Sequence, residues 1–198
     1  MTEDDIFAGR YTLLKSLGKG GFSEVWLAAD EMTEGTQVAL KIYAAANGLD
    51  ELGIKQFRKE YSLIQPLVHP GLLKAQHFDI YEGKPYLILP YMKNRSVAHW
   101  MFDHGEQPDE SFIAKFLFEI ASALEYLHSK EVIHQDLKPE NIMVSDEGNF
   151  ILADFGISAT LKSTLRKSST AEQLKYAKTN AYSAPERFGK RPATIVES

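Results

Sequence analysis

Cysteine is absent from the 198-residue sequence. This absence excludes a disulfide framework, a thiolate metal site and a thiol nucleophile, and it favours a reducing, cytoplasmic setting. Long apolar runs are missing too, because no stretch approaches the roughly 18 to 20 residues that a membrane helix needs. The first five residues, MTEDD, are acidic where a secretory signal would be basic. We therefore expect a cytoplasmic protein without a membrane partner.

The charge is unevenly distributed along a chain of otherwise ordinary globular composition, with 44% hydrophobic and 25% charged residues. Residues 157–198 hold eight Lys or Arg and three acidic residues, which gives this segment a net charge of +5. Because the whole chain carries −5, residues 1–156 carry −10. Such a basic segment is either a solvated loop or a surface for acidic peptides or phosphates. The acidic body has no clustered basic stripe, so no nucleic-acid partner is expected.

The most informative pattern is His-x-Asp-Leu-Lys-x-x-Asn at residues 134–141, followed by an Asp-Phe-Gly that begins at Asp154. It places a carboxylate (Asp136), an amine (Lys138) and a carboxamide (Asn141) in one loop, and the second carboxylate follows the next strand. Phosphoryl transfer depends on positioned charge and metal ions more than on covalent chemistry. The fixed spacing favours a catalytic loop over a histidine that merely packs in the core.

These stretches resemble the catalytic and metal-binding loops of the eukaryotic-like protein kinases. The resemblance implies that Asp136 accepts or orients the proton of the attacking hydroxyl, and that Lys138 meets the charge developing on the transferred phosphate. It also implies that Asn141 and Asp154 hold Mg²⁺, with Mn²⁺ as a substitute, and that ATP is the phosphate donor.

A glycine-rich segment lies between two predicted strands, residues 11–17 and 24–29. Its backbone amides can approach phosphates closely, because glycine has no Cβ in the way. A dinucleotide-binding fingerprint would open a helix, whereas strand, turn, strand is the context of the kinase glycine loop. Here Ser23 replaces the last glycine of that motif. The implied nucleotide-binding residues are Leu17, Gly18, Lys19, Gly20, Gly21, Phe22, Ser23, Glu24 and Val25.

Lys41 is the one charge in the predicted strand at residues 38–43, and a buried ammonium needs a partner. The strand resembles the Val-Ala-Ile-Lys strand of kinases, whose lysine holds the α- and β-phosphates and pairs with a glutamate on the next helix. A helix is predicted over about residues 50–65. Its apolar stripe consists of Leu52, Phe57, Tyr61 and Ile64. Glu60 is the candidate partner of Lys41, with Glu51 as the alternative.

Two further strand-like runs, residues 72–80 and 86–89, lead to the segment that the resemblance identifies as the hinge between two lobes. The resemblance implies that Leu89 lies at the back of the adenine pocket. Pro90 has no amide hydrogen but offers its carbonyl, and Met92 offers its backbone amide. The other implied adenine contacts are Val25 and Ala39 above the base and Met143 below it.

Apolar residues recur at helical spacing from Glu110 to Lys130 and predict a helix that leads to the catalytic loop. These residues are Ile113, Phe116, Leu117, Ile120, Leu124 and Leu127. Beyond the catalytic loop, residues 142–144 and 150–153 predict a hairpin.

The segment after Asp-Phe-Gly is rich in Ser, Thr and Lys and runs to Ala184-Pro185-Glu186. Kinase activation segments lie between these two motifs. Thr179 falls where serine/threonine kinases keep a threonine that bonds to the catalytic aspartate and lysine. Together with Lys138, it implies a protein substrate with a Ser or Thr acceptor.

The sequence departs from the family pattern in two places. Gln135 stands where kinases activated by loop phosphorylation carry arginine, and glutamine cannot form the charged bidentate clamp that a phosphate favours. We therefore expect activity that does not depend on loop phosphorylation. The family pattern also continues for several helices beyond Ser198. We expect an incomplete C-terminal lobe whose open apolar surface needs a partner or the missing segment.

Together with these patterns, the resemblance implies an α+β, bilobal protein-kinase-like fold. Residues 1–92 are expected to form an antiparallel β N-lobe with one major helix and the hinge, and residues 93–198 a partial, mainly helical C-lobe. The expected function is transfer of the γ-phosphoryl group of Mg-ATP to a protein hydroxyl. The alternative is an ATP-binding scaffold with weak or no activity. Small-molecule kinases share the His-x-Asp and its downstream Asn, but they lack the Asp-Phe-Gly to Ala-Pro-Glu segment.

Overall fold

The computed structural model describes residues 1–20, 23–44, 46–104 and 108–155. This part of the chain forms two compact units, residues 1–59 with 75–91 and residues 60–74 with 92–155. Each unit has a hydrophobic core of its own.

The first unit is built on a six-stranded antiparallel sheet. Its strands are β1 (Ile6–Phe7), β2 (Tyr11–Lys19), β3 (Ser23–Asp30), β4 (Thr36–Tyr43), β5 (His77–Tyr81) and β6 (Lys84–Pro90), in the spatial order β1-β2-β3-β4-β6-β5. The strands predicted at 11–17, 24–29 and 38–43 are confirmed. The strand predicted over 72–80 begins only at His77, because the residues around Leu72 pair with Leu152 instead. The Leu73 amide donates to the Leu152 carbonyl, and the Leu152 amide donates to the Gly71 carbonyl, both at 2.8 Å.

One face of this sheet carries the core of the first unit. Trp26 lies opposite Leu40 in the β3–β4 register, and Ile88 lies opposite Leu40 on the next strand. Side chains two residues apart share a face, so apolar residues of five strands meet there. The buried cluster consists of Phe7, Tyr11, Leu13, Trp26, Ala28, Val38, Leu40, Ile42, Tyr86 and Ile88.

A bidentate ion pair fastens the start of β2 to the end of β3. Arg10 donates from Nε and Nη2 to the two carboxylate oxygens of Asp30, both at 2.7 Å. Asp30 is 4% exposed, and it also accepts a hydrogen bond from the Met32 amide at the start of a short 3₁₀ turn. The hydrogen bonds from Arg10 hold the pKa of the Asp30 carboxyl below its ordinary value.

This ion pair predicts how stability changes in acid. A carboxyl whose pKa is lowered by folding adds stability above its unfolded pKa, and that contribution is lost as the pH falls through the folded pKa. We expect Asp30→Asn, which keeps the cap on Met32, to lower the free energy of unfolding by about 2 kcal/mol at pH 7 and by much less near pH 2. Urea unfolding at both pH values measures the difference. The exposed neighbour Glu34→Gln is the control, and an equal loss at both pH values would contradict the assignment.

Helix α1 (Glu51–Ile64) follows β4 and confirms the helix predicted over residues 50–65. The Asp50 carboxylate accepts a hydrogen bond from the Gly53 amide at 2.8 Å and so caps its first turn. Phe57 is fully buried, but Leu52, predicted on the same stripe, is 70% exposed. Leu52 was wrongly included because the buried face begins one residue later, about 100° around the helix, at Gly53.

The second unit contains α2 (Val97–His104), α3 (Glu110–Ser129) and the hairpin of β7 (Ile142–Val144) and β8 (Phe150–Leu152). The long helix and the hairpin are confirmed. Helix α2 is not predicted by the sequence patterns above. Asp109 caps α3, because its carboxylate accepts a hydrogen bond from the Phe112 amide at 2.7 Å.

An aromatic cluster packs α3 against the hairpin. Phe150 meets Phe112 and Phe116 edge to face, with ring centroids 5.0 Å and 5.1 Å apart. Trp100 of α2 stacks on Phe112 with centroids 4.6 Å apart. The hairpin is also held by the Glu119 carboxylate, which accepts a hydrogen bond from the Phe150 amide at 2.7 Å. Helix α3 and the hairpin therefore form one packed body.

Part of α3 remains exposed. Ile120 and Leu127 are buried, whereas Ile113 is 43%, Leu117 60% and Phe118 76% exposed. Within the described ranges, no helix is long and apolar enough to cross a membrane.

Candidate functional site

The loop after α3 brings together the three side chains predicted for it. The Asp136 carboxylate lies 3.3 Å from Lys138 Nζ and accepts a hydrogen bond from Asn141 Nδ2 at 3.1 Å. Asn141 Nδ2 also donates to the Asp136 carbonyl at 2.7 Å. Both members of the ion pair are partly buried, with 19% of the Lys138 side chain and 28% of the Asp136 side chain exposed. A carboxylate, an ammonium and a carboxamide thus form one contact network.

His134 anchors this loop to the end of β8. It is fully buried; its Nε2 lies 3.0 Å from the Ala153 carbonyl, and its Nδ1 lies 3.4 Å from the Asp136 amide nitrogen, which donates to it. This arrangement requires the neutral tautomer that carries its proton on Nε2. The Ala153 amide donates to the Asn141 carbonyl at 2.8 Å. The residue before Asp154 is therefore bonded to both ends of the loop at residues 134–141.

Two residues of this region have left-handed backbones. Gln135 has φ 64° and Asp154 has φ 63°. Such values are uncommon for residues other than glycine and are concentrated at functional sites. Gln135 is half-buried, whereas Asp154 is exposed.

The donor set of Asn141 and Asp154 fits Mg²⁺. Both supply oxygen, the ligand type that this hard cation prefers. Because Asn141 Nδ2 donates to Asp136, the amide oxygen is the atom of that side chain available for a cation. The described residues contain no group of three or more His, Asp or Glu that could hold a metal ion. A site with one carboxylate suits an ion that takes further ligands from substrate phosphates and water.

Four predicted nucleotide-binding residues lie on one face of the first unit's sheet. Val25 lies opposite Lys41 in the β3–β4 register, and Ala39 lies opposite Leu89 in the β4–β6 register. Since residues 39 and 41 are two apart on β4, all four side chains project from the same face. This face is opposite to the one that carries the core. Lys41 is 7% exposed, and its Nζ lies 5.4 Å from the ring centroid of Tyr43.

The glycine loop is closed by contacts on both sides. The Gly20 amide donates to the Ser23 carbonyl at 2.8 Å. Lys19 Nζ lies 2.7 Å from the Glu24 carboxylate, and Trp26 Nε1 donates to the same carboxylate at 3.4 Å. Burial raises the pKa of Glu24, but the hydrogen bonds from Lys19 and Trp26 outweigh it and leave the pKa below its ordinary value. Lys19 and Glu24 thus hold the ends of the turn together.

The remaining residues of the loop are distributed as follows. Leu17 and Gly18 lie on β2, where Leu17 is 37% exposed and Gly18 lies opposite Val25. Gly21 and Phe22 lie outside the described residues.

The predicted hinge residues lie at a strand end and in the turn after it. Pro90 ends β6 opposite Val38. The Met92 carbonyl accepts a hydrogen bond from the Arg95 amide at 3.1 Å. The Arg95 carbonyl in turn accepts from the Val144 amide at 3.0 Å, next to a bridge between Ser96 and Met143. Within the second unit, the segment after Met92 is thereby attached to the strand that carries Met143.

Glu60 lies on α1 as predicted, and both of its carboxylate oxygens are buried. The alternative, Glu51, is exposed at the first position of that helix. Thr179, Gly156 and the Ala184-Pro185-Glu186 motif lie outside the described residues.

Sequence patterns assign no function to two residues that the structure connects to the loop. The spacing of His134 within its motif marks the residue, but only the structure shows that it ties the Asp136 amide to β8. Nothing in the sequence marks Ala153, because it contributes only backbone groups.

The family model described as the protein kinase domain matches residues 11–196. The chain belongs to the protein kinase family. A kinase similar in sequence is the probable serine/threonine-protein kinase PknB of Lactococcus lactis, which is 29% identical over 159 residues. That match covers 80% of this chain and 25% of the relative, so the chain spans about a quarter of that kinase's length.

A kinase similar in structure is the PknI kinase domain of Mycobacterium tuberculosis, solved as a mutant. The match has a TM-score of 0.71 and 24% sequence identity, and it covers all of this chain and 71% of the other. This likeness confirms the predicted kinase fold, with its antiparallel N-lobe sheet and partial C-lobe.

Proposed function

We propose that this kinase chain transfers the γ-phosphoryl group of Mg-ATP to a serine or threonine hydroxyl of a protein. The observation that supports the proposal most is the contact network of Asp136, Lys138 and Asn141, together with its hydrogen bonds to Ala153, the residue before Asp154. Phosphoryl transfer is catalysed mainly by positioning and by electrostatic stabilisation. These residues supply both. ATP as the donor also favours a cytoplasmic setting.

Asp136 is the proposed residue that orients the acceptor hydroxyl and takes its proton. Its carboxylate is held from two sides, by Lys138 and by Asn141, and this fixed orientation would direct it toward the hydroxyl. The Lys138 ammonium would offset negative charge on the transferred group. Asn141 and Asp154 would hold Mg²⁺, which when bound neutralises charge on the phosphates.

Residues of the glycine loop, of β4, of α1, of the predicted hinge and of β7 are proposed to bind the nucleotide. Lys41 would hold the α- and β-phosphates and is assigned Glu60 as its partner, while the backbone of the glycine loop covers the phosphates. Adenine would contact Val25, Ala39, Leu89, the Pro90 carbonyl, the Met92 amide and Met143. Lys138 and Thr179 favour a Ser or Thr acceptor. The support here is the shared sheet face and the order of the motifs along the chain.

Mg-ATP binding can be tested by thermal unfolding. At about 100 times its Kd, Mg-ATP is expected to stabilise the folded chain by about 2.7 kcal/mol and to raise Tm by roughly 5 to 10 °C. Asp154→Asn should lose the part of the shift that depends on Mg²⁺. Asparagine tolerates the left-handed backbone at this position, so the loss reports on the carboxylate charge.

The matched control is Asp146→Asn, in the exposed turn of the β7–β8 hairpin, which should keep the full shift. A folded wild-type chain whose Tm does not respond to Mg-ATP would contradict the proposal. A Tm shift without phosphate transfer to a Ser/Thr peptide would favour the nucleotide-binding scaffold.

A further inference from the structure

The start of α1 is attached to the turn between β5 and β6 by a backbone contact. The Leu49 amide donates to the Gly83 carbonyl at 2.7 Å, one residue before the Asp50 cap of the helix. The preceding Gly48 amide bonds back to the Ala44 carbonyl at 2.8 Å and closes the turn that leaves β4. We call Gly48, Leu49 and Gly83 the glycine clasp. It fixes the point from which α1 begins.

Both glycines of the clasp are required by geometry. Gly48 has φ +70° and Gly83 has φ +72°, values that disfavour other residues. A Cβ on Gly48 would lie 3.1 Å from the Gly83 carbonyl oxygen and 3.2 Å from the Glu82 carbonyl oxygen. A Cβ on Gly83 would lie 3.3 Å from the Leu49 carbonyl oxygen. The two backbones therefore approach more closely than side chains would permit.

Helix α1 connects the glycine clasp to Glu60. Leu49 and Glu60 are eleven residues apart, which corresponds to about 16 Å along a helix axis. Because α1 is a continuous helix, a tilt of a few degrees at its first turn displaces the Glu60 carboxylate by about 1 Å. Misplacement of that size at a reacting site can cost on the order of 100-fold in rate.

We propose that the glycine clasp positions Glu60, through α1, for its role beside Lys41. The proposal rests on the proposed function. Gly48 and Gly83 are positioning residues here, since they touch neither substrate nor nucleotide. The assignment gives the two glycines a role in activity beyond forming their turns.

The test compares Gly48→Asn with Gly35→Asn. Gly35 has φ +78°, but nothing lies within 4 Å of the position its Cβ would take. Asparagine tolerates left-handed backbone at both positions. The two variants therefore share any cost of the backbone conformation, and only Gly48→Asn pushes against the clasp.

Two measurements are made below the Tm of every variant. In hydrogen exchange, the α1 amides of Gly48→Asn should exchange at least about tenfold faster than wild type, while those of Gly35→Asn should match it. In peptide phosphorylation, Gly48→Asn should lower kcat/KM by about tenfold or more. In a Glu60→Gln background, the same change should cost less than about twofold, because contacts that act in series are not additive.

Unchanged α1 exchange in Gly48→Asn would overturn the proposal. So would faster exchange with unchanged kcat/KM in an active enzyme, or a full tenfold loss in the Glu60→Gln background. A wild-type chain without phosphate transfer would refute the proposed function instead. In that case the hydrogen-exchange comparison still decides whether the clasp holds α1. If the α1 amides exchanged at the same rate in Gly48→Asn and in the wild type, the clasp would not hold the helix.

Discussion

Asp136→Asn is expected to lower the rate of phosphate transfer to a Ser/Thr peptide by about a thousandfold, within the 10²–10⁴ range of general acid–base effects. Asparagine has nearly the same size as aspartate but cannot take the hydroxyl proton. It also removes the negative charge that lies 3.3 Å from Lys138 Nζ. Initial rates at saturating Mg-ATP and peptide measure the loss.

The Tm shift with Mg-ATP should persist in Asp136→Asn, because the proposed metal ligands are Asn141 and Asp154. Asp146→Asn should keep full activity as the matched control. Loss of both rate and nucleotide stabilisation would show that the substitution disrupts the loop. More than a tenth of the wild-type rate with an intact Tm shift would refute the assigned role of Asp136.

Phe150→Ala is expected to destabilise the second unit by about 3 to 5 kcal/mol, the cost of removing a large buried ring and leaving a cavity. Phe150 is 2% exposed and contacts two aromatic rings of α3. A loss of that size is a large share of the 5–15 kcal/mol that stabilises a typical protein. Denaturant unfolding followed by circular dichroism measures it.

The control is Phe118→Ala on α3, the same substitution at a side chain that is 76% exposed. It should change the free energy of unfolding by no more than about 0.5 kcal/mol. If the two variants lost equal stability, the aromatic cluster would not be the centre of this core.

The sequence allowed much of the fold to be predicted, because several of its signals are local. Lys41 interrupts an apolar strand, and the His-x-Asp spacing defines a loop, so each pattern identifies an element and its chemistry together. The register that places Val25 opposite Lys41 follows from the short connection between β3 and β4. Family resemblance supplied the roles.

Contacts between distant segments could not be predicted in this way. Leu72 and Leu73 have strand-like composition, yet the Leu73 amide donates to the Leu152 carbonyl and β5 begins only at His77. Leu52 has the right spacing but lies on the exposed side of α1, because the buried face of this helix runs through Gly53 and Phe57. Helix α2 is only eight residues long, too short for its periodicity to stand out.

The hydrogen bonds of His134 have a thermodynamic consequence. Because one imidazole joins the Asp136 amide to the Ala153 carbonyl, ordering at Asp154 restrains Asp136 as well. Binding linkage is reciprocal. Under the proposed function, a cation bound at Asp154 is expected to raise the affinity for an acceptor peptide by the same factor by which the peptide raises the affinity for the cation.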